Sequence, residues 1–529
     1  MTIHDESELH RFAALQERLG PLVRRIFPDP LEPRTVLVVP SLSMDRGVLE
    51  KITGVQHYEE RLLCMLMLLR LPRTHLIYVT SVPVDPTIIG YYLHLLPGIP
   101  GSHARRRLTL LTCRDATPVP LSEKILARPR LIRRIRRAIP NIHDAHMTCF
   151  NVTPVERRLA LELGVPIYGC DPALADVGSK SGSREVFKEA GIEVADGFER
   201  LRDENDMIEA VIELGRRYPE LRRVAVKLEE GASGEGNAVF ELQDSPNGTD
   251  LAPWVRRELP RRLRFEARDE NWEEYTAKYR QMGGIVECWV DGEGKRSPSV
   301  QCRIDPLGKI EMISTHDQIL GGPSGQVFKG STFPADAEYR LDIQDAGGRV
   351  AEILKENHVV GRFGVDFVSV RKADGWRHYA IEINLRKGGT THTFMMLQYL
   401  TDGHYSPETG LYDTPTGRER YYYATDNLHN EAYRGLLPDD LIDIAVENNL
   451  HFHGATQQGV VFHLIGALSE FGKLGMVCVG ATAEKASRLY KETVEVLDRE
   501  AARPAPDPEE YDSHHAGQDT RRRLRTAGG

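Results

Sequence analysis

The sequence predicts an α/β protein: a mostly parallel layer first, then an α+β core, then a small C-terminal α/β domain. Three observations carry this expectation. In the first third, short β-branched runs alternate with helical stretches, the pattern of parallel strands joined by helices. Residues 361–391 read GRFGVDFVSVRKADGWRHYAIEINLRKGGTT, two short apolar runs flanking a polar turn, which is hairpin grammar. From about Arg503 the chain is Pro, Asp, Glu, His and Arg with almost no apolar residue, so it cannot bury enough surface to fold.

Taken in order, residues 1–34 form a helical lead-in ending at Pro28, Pro30 and Pro33. Residues 35–177 form the parallel layer. Its strands are expected at 35–40 (TVLVVP), 74–80, 108–112, 147–151 and 165–168, with a helix at 58–71. No glycine-rich fingerprint follows the first strand. The segment PSLSMDRG stands there instead, which argues against a nicotinamide site. The basic stretch 128–137 has Leu131, Ile132, Ile135 and Ile139 as an apolar stripe. It reads as a solvated helix face, with an anionic-ligand or partner patch as the alternative. Residues 178–394 form the core, with a small-residue loop and short helix at 178–197 and strands at 222–227, 286–290 and 300–304 before the hairpin. Residues 395–502 form a C-terminal domain with strands at 460–464 and 475–479, and 503–529 form a disordered tail.

The 529 residues suit two or three domains. Lys and Arg number 68 against 77 Asp and Glu, a net charge of −9 that argues against nonspecific nucleic-acid binding. The seven cysteines are scattered without short paired spacing, which suits a reducing compartment better than disulfides or zinc. Residues 1–10 carry no secretory signal. The longest apolar run, 62–69, lies between Arg61 and Arg70 and is too short to span a bilayer. A cytoplasmic protein with no membrane or nucleic-acid partner is expected.

The hairpin carries the chemistry. Alternate residues of its second strand share a face, so Glu382, Asn384 and Arg386 point the same way, and Asp366 on the partner strand can join them. Two carboxylates, an amide oxygen and a guanidinium suit Mg²⁺ and phosphate. Taken alone they fit an exposed charged hairpin face equally well. Lys227 ends a strand and runs into Gly231, Ser233, Gly234 and Gly236, where a cation and bare N–H groups can surround phosphates. Taken alone, this loop also reads as a simple turn, and it lacks the Lys-Ser/Thr ending of a P-loop. Lys180 sits in a second small-residue loop, and Glu287 is an acid inside the apolar run VECWV. His451 and His453 share a face but lack a third ligand, so no metal is assigned to them.

The order of these elements resembles the ATP-grasp superfamily: Lys180, then Lys227 with its glycine loop, then the acid-bearing strand, Asp366, and Glu382-x-Asn384-x-Arg386. The resemblance covers about 178–392. It implies ATP, with phosphates at Lys180, Lys227, Gly231, Ser233, Gly234 and Gly236. It implies adenine beside Glu287, Cys288, Trp289 and Val290. Cys288 stands where the family carries a hinge acid or lysine, which leaves backbone contact there. Mg²⁺, with Mn²⁺ as a substitute, is implied at Asp366, Glu382 and Asn384, and Arg386 is implied to steady an acyl phosphate and a tetrahedral intermediate. The upstream layer is similar to the Rossmann-like pre-ATP-grasp domain. With the segments GSKSGSREVFKEAGI, THDQILGGPSGQ and HFHGATQQGVVFHLIGAL, the chain resembles the pheganomycin-type peptide ligases. The implied activity is ATP-dependent joining of a small-molecule carboxylate to an amine or peptide, with release of ADP and phosphate. Arg303, Asp317, Gln318, Thr391 and His392 are candidate substrate contacts. A phosphotransferase and an inactive nucleotide-binding module are the alternatives, and a homo-oligomer is left open.

Overall fold

The computed structural model describes residues 3–231, 236–246, 248–267, 270–321, 325 and 327–502. Ser233, Gly234, much of GGPSGQ and the tail lie outside the described residues. Helices Ile3–Gln16 and Leu19–Ile26 lead in, the second burying Leu19, Leu22, Val23 and Ile26. The first sheet runs Leu108–Thr112, Thr74–Thr80, Arg34–Val39, Ala145–Cys149, all parallel. Strand Arg34–Val39 is buried along its whole length. Val36 and Val38 face one core and Leu37 and Val39 the other, as a strand covered on both faces requires. The strand expected at 165–168 reduces to a single bridge between Met147 and Ile167. Pro166, with no N–H, cannot continue a ladder there.

The helix expected at 58–71 is instead a 3-10 helix, Val55–Arg70. Its apolar run has no polar face because it is packed from both sides. Leu62, Leu63, Leu66 and Met67 share one core with Val36, Val38 and Tyr78 of the first sheet and with Val461, Leu474 and Met476 near the end of the chain.

A five-stranded antiparallel sheet runs Gly197–Leu201, Gly284–Cys288, Arg223–Leu228, Asn237–Glu241, Arg264–Phe265. Helices Glu204–Arg217, Leu251–Arg262 and Trp272–Met282 supply its core. The largest sheet has nine strands. Its path is Glu293–Arg296, Gly361–Lys372, Pro298–Ile304, Ile310–Gly321, Val327–Phe333, Tyr421–His429, Lys473–Gly480, Gly459–His463, with Gly375–Asn384 paired to Gly361–Lys372. The last three strands of that path come from the 395–502 region, which therefore shares the sheet of the core.

Lys180 is the first residue of helix Lys180–Glu189 rather than part of a loop. Ser179 caps the helix, its side chain accepting from the Gly182 N–H at 3.0 Å. Gly182 is required by space: a Cβ there would lie 2.0 Å from the Asp176 carbonyl oxygen.

Candidate active site

Strands Gly361–Lys372 and Gly375–Asn384 pair antiparallel, with Asp366 opposite Glu382 and Gly364 opposite Asn384. A bulge follows Asp366; bulges of this kind re-aim side chains beside active sites. The Asn384 amide nitrogen donates to Asp366 at 3.0 Å and to Glu382 at 3.3 Å. Gln318 donates to the other Asp366 oxygen at 3.0 Å. Lys180 forms an ion pair with Glu382.

The two carboxylates divide their protons by environment. Burial, and then the adjacent Glu382 charge, push Asp366 up to about 7. Burial alone would raise Glu382, but the Lys180 charge and hydrogen bond outweigh it and hold Glu382 at about 2. Burial lowers Arg386, against the opposing pull of Glu382 and Asp366. The two carboxylates suit a hard divalent cation, while the Asn384 amide presents its nitrogen to both of them.

The five-stranded sheet supplies another wall. Lys227 donates to Glu287 at 2.6 Å, and Arg184 donates to the other Glu287 oxygen at 2.7 Å. Arg184 is 1% exposed and also holds Glu199 at 2.7 Å. Gly231 and Gly236 bring the two ends of the glycine loop together, since a Cβ on Gly231 would meet the Gly236 Cα at 3.1 Å.

These walls enclose one cavity of about 540 Å³, lined by Lys180, Lys227, Gly231, Glu287, Cys288, Val290, Gln318, Asp366, Glu382, Asn384 and Arg386. Four residues expected near substrate are held elsewhere. Arg303 pairs with Glu311 on the adjacent strand at 2.8 Å. Asp317 accepts from the Tyr339 hydroxyl at 2.5 Å and the Asp336 N–H at 2.9 Å. Thr391 accepts from the Gly388 N–H at 2.9 Å, closing the start of helix Gly389–Thr401. His392 is buried against His463, their Nε2 atoms 3.1 Å apart. Gly236 is not among the lining residues. Sequence reasoning missed Tyr58, Arg61, Phe150, Ser299, Asp426 and Lys473, which line the same cavity. Apart from Tyr58 and Arg61, which share one helix, each sits in its own segment, and only Arg61 carried a signal, as the charge closing an apolar run.

Comparison with known proteins places this geometry. An L-propargylglycine–L-glutamate ligase of Streptantibioticus cattleyicolor is 30% identical over 461 residues, covering 85% of this chain and 92% of that protein. The IQ motif-containing protein H of Danio rerio is 20% identical over 524 residues, covering 89% of this chain. The chain spans 49% of that protein's length. An IQCH-like ATP-grasp family model matches residues 255–408, and a PGM1 C-terminal domain model matches 440–493. Among solved structures, the ATP-analogue complex of Campylobacter jejuni biotin carboxylase aligns with TM-score 0.51 at 14% identity, covering 88% of this chain and 91% of that one. An ADP complex of N5-carboxyaminoimidazole ribonucleotide synthetase aligns with TM-score 0.50 at 13% identity, covering 89% and 98%. These two likenesses share the fold. The chain belongs to the ATP-grasp superfamily, among its ATP-dependent ligases that form carbon–nitrogen bonds. Among the described residues, no helix is long and apolar enough to cross a membrane.

Proposed function

We propose that this ligase joins the carboxylate of one amino acid to the amine of another through an acyl phosphate, releasing ADP and phosphate. The observation that carries the reading is the convergence of Lys180, Lys227, Asp366, Glu382, Asn384 and Arg386 on a single cavity. The relative named for L-propargylglycine and L-glutamate supports amino acids as the substrate class.

In this reading the backbone of strand Gly284–Cys288 and its continuation to Val290 holds adenine, and Lys180 and Lys227 hold phosphates. The Glu287 side chain acts indirectly, fixing Lys227 and Arg184. Asp366, Glu382 and Asn384 would hold Mg²⁺, which neutralises phosphate charge when bound. Arg386 lies two residues past Asn384 and supplies a fixed positive charge for the oxyanion that forms when the amine attacks. No side-chain nucleophile is needed, because phosphoryl transfer depends on charge neutralisation and alignment.

The test is a hydroxylamine trap with ATP, Mg²⁺ and each of L-glutamate and a short aliphatic L-amino acid, alone and paired. Hydroxamate with ADP and phosphate is expected. AMP and pyrophosphate overturn the acyl-phosphate route, because an acyl adenylate also traps as hydroxamate. ADP with a stable phosphorylated product and no amine requirement favours a phosphotransferase.

A further inference from the structure

The cavity extends beyond the hairpin to a wall built from distant segments. Tyr58 and Arg61 come from the 3-10 helix Val55–Arg70, Phe150 follows strand Ala145–Cys149, and Asp426 and Lys473 lie on neighbouring strands of the large sheet. The ladder between those two strands breaks between Thr425 and Leu428, so Asp426 lies in an irregularity that frees it from regular pairing. Arg61 donates to Asp426 at 2.5 Å, and its guanidinium lies 4.1 Å over the Tyr58 ring. The Tyr58 hydroxyl accepts from Lys473 at 2.6 Å.

Three features mark this wall as a recognition site rather than a structural brace. The first is charge. Lys473 is 8% exposed, and among the described residues its hydrogen-bond partner is a hydroxyl, not a carboxylate. Arg61, Lys473 and Asp426 thus carry two positive charges against one negative in a mostly buried place, an imbalance that an anionic group corrects. The second is incomplete pairing. Arg61 Nε and Asp426 Oδ1 are buried without a partner among the described residues, so the ion pair leaves one donor and one acceptor unmatched. The third is the apolar lining beside it. Leu42 and Met44 come from the PSLSMDRG segment, Val48 from helix Arg46–Lys51 and Ile52 from the residue that ends it. That segment, which lacks a dinucleotide fingerprint, lines the cavity here.

We infer that Arg61, Lys473 and Asp426 bind the α-carboxylate and α-ammonium of the amine substrate, an L-amino acid whose apolar side chain lies against Leu42, Met44, Val48 and Ile52. The assignment rests on the ligase reading above and adds which end of the cavity takes the amine and what class of amine it is. Arg61 and Lys473 hold the carboxylate, and Asp426 holds the ammonium. The ammonium passes one proton to Asp426. The freed nitrogen lone pair forms the C–N bond to the acyl carbon beside Arg386. The carbon–oxygen bond to phosphate then breaks, phosphate leaving with the electron pair and taking the second nitrogen proton. Asp426 returns its proton to water.

The test compares two amines on one enzyme. With the carboxylate found by the hydroxamate screen, amide formation is measured for short aliphatic L-amino acids and their carboxamides, and for hydroxylamine, which has no carboxylate. In wild type the amino acid is expected to exceed its carboxamide at least 30-fold in kcat/KM. In Lys473→Met and Asp426→Asn the ratio of amino-acid to hydroxylamine kcat/KM is expected to fall at least 30-fold, through KM for Lys473→Met, with the KM for ATP moving less than threefold. Equal activity on acid and carboxamide overturns the inference and leaves the ligase reading standing. Equal losses with both amines assign the wall to the carboxylate donor or to structure and overturn it too. A wild type that makes no hydroxamate with any carboxylate overturns the ligase reading and this assignment together.

Discussion

Lys227 donates to Glu287 at 2.6 Å across the junction of two strands, and both side chains are almost fully buried, at 6% and 4% exposure. The family resemblance implies adenine beside Glu287. Its carboxylate anchors two cations, Lys227 and Arg184. The bare sequence could not reveal this, because Arg184 and Glu287 lie in different elements.

Glu287→Gln is therefore expected to destabilise the protein and to release Lys227. Removing one partner of a buried pair typically costs about 3–5 kcal/mol. Thermal unfolding should shift down, and KM for ATP should rise more than kcat falls. An unchanged Tm with an unchanged KM for ATP contradicts the anchoring role.

The hairpin acids give a second expectation. Glu382→Gln or Asn384→Ala should nearly abolish turnover while leaving the fold intact. Losing one preorganised electrostatic contributor costs about 3–4 kcal/mol, or roughly two to three powers of ten in rate. Steady-state kinetics at saturating Mg²⁺ with a circular-dichroism control is the check, and near-normal kcat in both variants contradicts the metal assignment.

Legibility followed distance along the chain. The hairpin with Asp366, Glu382 and Asn384 could be read because all three lie within one short stretch and strand alternation fixes their faces. The parallel layer could be read chiefly from Arg34–Val39, which is buried along its whole length and spells a continuous β-branched run. Arg303, Asp317, Thr391 and His392 are named as candidates because polar residues near a site look alike until their partners are known. Here those partners are Glu311, Tyr339, Gly388 and His463. Arg61, Asp426 and Lys473 could not be found, since tertiary packing alone brings them together.

Two glycines make a matched pair. At Gly182 a Cβ would strike the Asp176 carbonyl at 2.0 Å, so Gly182→Ala must move the start of the helix that carries Lys180. Overpacking of this kind costs about 1–3 kcal/mol, and ATP affinity should weaken with stability. Gly90 lies inside helix Pro86–His94 with nothing within 4 Å of its added Cβ, so Gly90→Ala should stabilise by roughly 0.5–1 kcal/mol. Chemical denaturation of both variants decides, and a stabilising Gly182→Ala contradicts the packing argument.

Glu59 sets a pH expectation. It is buried in the 3-10 helix Val55–Arg70 and accepts from the Ser81 N–H at 2.6 Å and the Ser81 hydroxyl at 2.5 Å. Burial raises it to about 7, against the opposing Ser81 hydrogen bonds and the Lys124 and His57 charges. A carboxyl raised on folding contributes stability that is fully present below its unfolded pKa, near 4.5, and lost as pH rises through about 7. The stability of wild type relative to Glu59→Gln should therefore fall between pH 5 and 8, by roughly 3 kcal/mol. Urea titrations across that range test it, and a flat difference shows that Glu59 folds already ionised.

The shared sheet has a consequence for how the chain comes off the ribosome. Strand Val327–Phe333 pairs along one side with Tyr421–His429, which pairs in turn with Lys473–Gly480. At synthesis rates of about 5–20 residues per second, the hairpin ending at Asn384 emerges roughly 2–9 s before the chain reaches His429. During that interval the Val327–Phe333 edge has no partner, and an open edge invites pairing with another chain. Yield in a host cell should therefore depend on temperature and chaperone supply more than the stability of the finished fold would suggest.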